Sequence, residues 1–146
     1  MNNLHNRLTL PAEWRFYKNP SPSPYALSWQ LLPPKSKAWA VLTGVQRILG
    51  FDSARTVADM DIEVLKGFFK DYTPRENSWM DLTIDGAEAV SYEADYSDKG
   101  GPMVEYRTYI LGKSQVYWFV FRVEKGRFEE YKTEFDSIVK SFKHTE

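Results

Sequence analysis

Two histidines, no cysteine and a scatter of carboxylates are the groups this chain offers for chemistry. The lack of cysteine removes disulfides, thiolate nucleophiles and zinc–thiolate sites. His5 and His144 lie in the terminal segments, where chains fray. An imidazole that binds metal or moves protons needs rigid surroundings, so solvent exposure is the expectation for both. No Ser-His-Asp set can be assembled from them. Gly100-Gly101 and Gly112 read as turns, not as a phosphate-binding loop. The sequence therefore predicts no catalytic residue, no metal site and no cofactor.

The carboxylates fall in two groups. Asp59-x-Asp61-x-Glu63 has alternate acids, but side chains two apart on a helix point in different directions and cannot converge on a cation. The glycine turn of a calcium loop is also missing. Their predicted role is to complement the helix dipole. Glu93, Asp95, Glu105 and Arg107 belong to two strands expected to be neighbours. They form either a charge ladder on a solvated sheet face or, with one carboxylate desolvated, the acid–base pair of a hydrolase. Tyr92, Tyr96, Tyr106 and Tyr109, with Trp39 and Trp79, make the sheet rich in aromatic rings. Most should be core. Where two helices leave part of one face uncovered, Tyr92, Tyr96, Tyr106, Tyr109 and Arg107 are the candidates for binding.

The elements that would position these groups follow from periodicity. Strands are predicted near Trp14–Tyr17, over Tyr25–Leu32 and over Ala38–Gln46, with Trp39, Val41 and Thr43 on one face. The alternating prolines from Pro20 to Pro24 cannot join a ladder and read as an exposed loop. A helix follows, with Thr56 as N-cap and Val57, Met60, Val64, Leu65, Phe68 and Tyr72 as its apolar stripe. Thr73-Pro74 ends it. Trp79–Ile84, Ala87–Tyr96, Met103–Leu111 and Val116–Val123 then form a meander through Asp85-Gly86, Gly100-Gly101 and Gly112-Lys113 turns. In the second of these, Tyr92, Ala94 and Tyr96 alternate with Glu93 and Asp95, the pattern of a strand wet on one side. Val116-Tyr117-Trp118-Phe119-Val120-Phe121 does not alternate, so it belongs in the middle of the sheet, covered on both faces. A last helix from about Arg127 carries Phe128, Tyr131, Phe135, Ile138, Val139 and Phe142 on one side.

The fold class is thus α+β: one domain over residues 1–146, with a curved antiparallel sheet of about six to seven strands packed against two helices. Aromatics make up 16% of the chain, which favours strands and a well-filled core. No stretch is apolar for long enough to span a bilayer. The net charge of −1 hides an imbalance. Residues 1–50 hold six Lys/Arg and one Glu, and residues 51–100 hold five Lys/Arg and twelve Asp/Glu. Folding either mixes the signs again or leaves a bipolar surface that steers a charged partner. No basic stripe appears, so nucleic acid is not an expected partner.

The Leu10-Pro11-Ala12-Glu13-Trp14 opening, the mid-chain helix and the closing Phe128-x-x-Tyr131-x-x-x-Phe135-Asp136-x-Ile138-Val139-x-Ser141-Phe142 helix together resemble the PsbP-like fold superfamily. Its members include the lumenal PsbP subunits of photosystem II, a Ran-binding nuclear import factor and many small bacterial exported proteins and lipoproteins. The resemblance implies a PsbP-like α/β sandwich. It carries no shared catalytic site, and the long basic arm of plant PsbP has no counterpart before Leu10. Exported relatives usually carry a signal peptide, whereas Met1–Arg7 has no such pattern. An exported domain, periplasmic or lipoprotein-anchored with its signal removed, is favoured over a cytoplasmic one. The function expected is non-enzymatic: a binding or accessory domain for a protein partner, or alternatively for a small apolar ligand, with a carboxylate-dependent hydrolase as a distant third. Oligomeric state is not encoded legibly.

Overall fold

The computed structural model describes residues 7–20, 26–34 and 38–144. The order of elements is β1 (Arg15–Lys18), β2 (Ala26–Leu32), β3 (Trp39–Gln46), α1 (Ala54–Phe68), β4 (Thr73–Pro74), β5 (Met80–Ile84), β6 (Ala87–Asp98), β7 (Gly101–Leu111), β8 (Gln115–Glu124) and α2 (Phe128–Lys140). All pair antiparallel in one open eight-stranded sheet, in the order β1-β2-β3-β8-β7-β6-β4, with β5 also on β6. The α+β class and the meander of the second half are as the sequence predicts. His5 and the Ser21–Pro24 loop lie outside the described residues.

Turn chemistry sets the meander. Asp85 and Gly86 both have positive φ (50° and 78°), which a two-residue hairpin turn requires. The long apolar run of β8 lies between β3 and β7, and it is buried throughout except at Trp118, which is partly exposed. Gly44 on β3 faces Tyr117 on β8, whose ring carbon lies 2.8 Å from where a Cβ would stand, so only glycine fits.

Each face of the sheet carries one helix. Against one face, α2 buries the whole predicted stripe, Phe128, Tyr131, Phe135, Ile138 and Val139, with Phe142 just beyond. Phe135 stacks on Phe121 at 4.3 Å, and Phe142 meets Phe119 edge-on at 5.5 Å. Rings in these geometries add to the area they bury. The tail then ties back to the start: Lys143 N–H donates to Arg7 O at 2.7 Å, and Arg7 Nε donates to Lys143 O at 3.0 Å.

Against the other face lies α1, over β6 and β7. Three features of this helix depart from expectation. Ser53 is the N-cap, not Thr56: its Oγ accepts from Thr56 N–H at 3.0 Å, and the helix starts at Ala54. A serine side chain at an extended position satisfies an otherwise orphaned N–H. Its first turn contains no acid; Asp59 pairs with Arg55 and Glu63 with Lys66. The buried stripe is Ala54, Val57, Ala58, Ile62 and Leu65, whereas Met60, Val64 and Phe68 are exposed (48%, 57% and 77%). Alanines let the helix settle close to the sheet, which rotates the larger side chains onto its flank.

β6 is not wet on one side either. Glu93 is buried among Arg75, Lys132 and Ser78. The chain after α1 pairs with the edge of β6 as the short β4 instead of merely stopping, and it brings Arg75 onto that face beside Lys132 of α2. His144 is not exposed: its backbone N–H donates to Asp85 Oδ2 at 3.1 Å, and its ring Nε2 lies 2.9 Å from Asp85 O.

Phe135→Ala removes the ring at the centre of the α2 layer. It is expected to cost about 3–5 kcal/mol, read as a lower urea midpoint at unchanged m-value. A loss under about 1 kcal/mol would mean that α2 is not anchored there.

Candidate functional site

The register divides the groups singled out in the sequence. Tyr92 faces Arg107 across β6 and β7, and Glu93 faces Tyr106. Tyr92, Tyr96, Glu105, Arg107 and Tyr109 therefore lie on the α1 face. Glu93, Asp95 and Tyr106 lie on the α2 face. The four charged residues do not form one ladder.

Under α1 the polar groups close on one another. Glu105 is fully buried at the centre of the sheet. Arg107 Nε donates to its Oε1, Arg122 Nε to its Oε2 at 2.7 Å, and the Tyr72 hydroxyl to Oε1 at 2.6 Å. The Tyr92 hydroxyl lies 2.7 Å from that of Tyr72. Arg107 Nη1 also donates to the Tyr109 hydroxyl, which donates to Asp61 of α1 at 2.7 Å. Burial alone would raise the pKa of Glu105, but the charges and hydrogen bonds of Arg107 and Arg122 outweigh it and hold the carboxyl below its usual range. Burial pushes Tyr96 up to about 12 and drives Tyr72, Tyr92 and Tyr109 upward too.

On the α2 face, Arg75 clamps Asp95 through Nε and Nη2 at 2.8 and 2.9 Å and reaches Glu93 at 2.9 Å. Lys132 of α2 donates to Glu93 at 2.7 Å. The hydrogen bonds from Arg75 lower the Asp95 pKa. The Tyr106 hydroxyl donates to Asp136. Neither Asp95 nor Glu105 has the raised pKa of a general acid working near neutral pH. Among the described residues no group of acids and histidines converges as a metal site.

All five sequence candidates, Tyr92, Tyr96, Tyr106, Tyr109 and Arg107, are buried. The structure brings four of them together under α1 and sets Tyr106 apart. What is accessible is the other half of the same face. There α1 does not reach, and cross-strand register lines up Val120, Val41, Gln30 and Tyr17 in one row and Arg122 with Trp39 in the next. Tyr17 and Trp39 are 51% and 39% exposed, and Leu32 is exposed beside them. The Arg122 guanidinium sits 4.7 Å from the Trp39 ring and 5.6 Å from the ring of Phe69 at the end of α1. The alternation of Trp39, Val41 and Thr43 signals this face in the sequence; Tyr17 carries no such signal, because β1 is short. Separately, a cleft of about 570 Å³ opens along Leu8–Phe16, lined in part by Leu10, Pro11 and Trp14.

The chain matches no protein-family profile and no curated protein sequence. Solved structures are similar to it. Cyanobacterial PsbP (CyanoP) from Synechocystis sp. PCC 6803 aligns over 91% of this chain and 82% of its own, with a TM-score of 0.66 and 13% identity. LpqN of Mycobacterium tuberculosis, involved in cell envelope biogenesis, aligns over 91% and 79%, with a TM-score of 0.59 and 16% identity. PA94 of Pseudomonas aeruginosa, a protein of unknown function, aligns over 92% and 84%, with a TM-score of 0.61 and 10% identity. This chain has the PsbP-like fold.

At these identities the likeness is one of architecture. In this fold the Leu10–Trp14 corner is a packing device: Trp14 is buried, meets Phe135 edge-on and donates through Nε1 to Glu134 of α2 at 2.9 Å. No helix is long and apolar enough to cross a membrane among the described residues.

Glu105→Gln leaves two guanidinium groups without their buried counter-charge and is expected to cost about 3–5 kcal/mol at pH 7. Because folding lowers the Glu105 pKa, its stabilisation is complete above the unfolded value, near 4.5, and is lost as pH falls through the folded one. Urea midpoints of wild type and variant should therefore converge on acidification. A gap that stays constant from pH 7 to pH 3 would show that the carboxylate charge is not what the variant removes.

Proposed function

We propose that this PsbP-like domain is a non-enzymatic accessory domain that holds a protein partner against the part of the α1 face that α1 itself does not cover among the described residues. One observation carries the reading. Beneath α1, Glu105, Asp61 and the hydroxyls of Tyr72, Tyr92 and Tyr109 are committed to internal partners, while rings and aliphatic side chains stand exposed next to them on Tyr17, Leu32, Trp39, Met60, Val64 and Phe68. A contiguous apolar surface of this kind marks an interaction site on a rigid scaffold. The envelope role of LpqN, together with the exported members of the superfamily, supports a location outside the cytoplasm for this domain as well.

The cleft along Leu8–Phe16, where Leu10 and Trp14 stand beside Thr9 and Arg15, supports a second reading, a site for an amphipathic small molecule. Its volume lies in the range of ligand pockets. Saturable binding of a fatty acid that Leu10→Arg abolishes would favour it.

Photo-crosslinking separates the two. A photoreactive phenylalanine analogue at Trp39 should give protein adducts in the native host, whereas the same group at Glu129, on the solvated side of α2, should give none. Equal labelling at both positions, or none at Trp39, would remove the partner-binding reading.

A further inference from the structure

The exposed flank of α1 and the open half of the sheet form one trough. Val64 projects from α1 opposite Arg55, given about 3.6 residues per turn. The Arg55 guanidinium lies 3.5 Å from the ring of Trp79, which stacks on Tyr92 at the β5–β6 side. The flank bearing Met60, Val64 and Phe68 therefore looks the other way, over β8 and β3. Opposite it stand Trp118, Trp39 and Tyr17. The floor between is the cross-strand pair Val41–Val120, buried yet outside both main cores. From Met60 to Phe68 the wall is about 12 Å long, room for two helical turns or some four extended residues.

Its charges are one-sided. The stretch from Trp14 to Phe51, which contains β1, β2 and β3, has no carboxylate at all. The acids of residues 51–100 all lie in or beside α1, β5 and β6, so folding keeps the imbalance of the sequence as a spatial one. Arg122 stands one-quarter exposed at one end of the trough. Arg15, exposed on the edge strand opposite Leu32, has no ion-pair or hydrogen-bond partner among the described residues. Of the carboxylates around it, Glu63 pairs with Lys66 and Glu124 stands exposed two residues past Arg122. Asp61 is matched by Tyr109 and Arg107, and Glu105 is fully buried.

We propose that the trough takes an acidic segment of a protein partner, its apolar side chains lying between Val64 and Trp39 and its carboxylates meeting Arg15 and Arg122. This deepens the partner-binding reading and rests on it. The recessed floor suits a peptide; a bilayer surface cannot enter a trough walled by a helix.

Short peptides displayed on phage and selected on the purified protein provide the test, with synthetic copies of the winners measured by fluorescence anisotropy. The selected peptides should combine Asp or Glu with Leu, Phe or Trp. Val64→Asp, at an exposed helix position, should weaken them more than about tenfold. Arg15→Glu should weaken them about fivefold, less so at high salt. Neutral or basic winners that Val64→Asp still disrupts would overturn the acidic assignment and leave the surface reading standing. Winners indifferent to Val64→Asp would overturn both. If Val64→Asp instead abolishes binding to phosphatidylglycerol vesicles or concentration-dependent self-association, the trough belongs to a membrane or to a second copy, and the proposal fails.

Discussion

A carboxylate buried in the middle of a sheet must be matched, and the matching of Glu105 arranges much of what surrounds it. Removing an ionised group from water costs several kcal/mol before any partner is counted. Arg107 and Arg122 supply the opposite charge and Tyr72 a hydrogen bond. Arg107 is itself buried, so it needs more than one acceptor, and Asp61 on the inner side of α1 is drawn down to it and to Tyr109. An apolar interface would tolerate a helix displaced across the strands. A charged one does not, and α1 is held over β6 and β7. The open half of that face is the remainder of this constraint.

The two layers of the molecule thus differ in kind. Beneath α2 the charged pairs such as Lys132–Glu93 stand at the side, and the central contacts are aromatic, with ring upon ring from Tyr131 through Phe135 to Phe121 and Phe119. Their energy comes from area and packing, and it depends little on pH. Beneath α1 the contacts are polar, directional and linked to protonation. The first layer supplies stability. The second supplies position, the better-attested use of buried ion pairs.

How far the sequence foretells this follows the same division. The α2 layer is legible because its large apolar residues recur at helical spacing and nothing competes with them. The Asp85-Gly86 turn and the central place of Val116–Phe121 are legible for equally local reasons. The α1 layer is not. There the buried face uses Ala54 and Ala58, which hydrophobic spacing scarcely registers, and it includes an acid, Asp61. The larger Met60, Val64 and Phe68 suggest a stripe rotated away from the true one. The alanines permit that rotation, and Arg107 and Tyr109 fix it by binding Asp61, contacts distant in sequence and visible only once β7 is paired with β6. The tyrosines are buried for the same reason. The accessible rings are fixed by where α1 stops, which only the assembled sheet decides.

The ladder between β3 and β8 joins Gln46 to Gln115 and Trp39 to Arg122, partners far apart along the chain. β5 to β8 are neighbours in sequence and can zip through short turns, whereas β1 to β3 join the sheet by this one long-range seam, braced by Trp14 and the α2 layer. Closing so large a loop carries an entropic cost that hairpins avoid, and strand pairings of high contact order form slowly. The half-sheet formed by β1, β2 and β3 is therefore expected to join late in folding and to loosen first under strain, a sequence that native-state hydrogen exchange can order. The exposed rings would then ride on the part of the scaffold with the freest excursions, so clasping anything there would steady the seam itself.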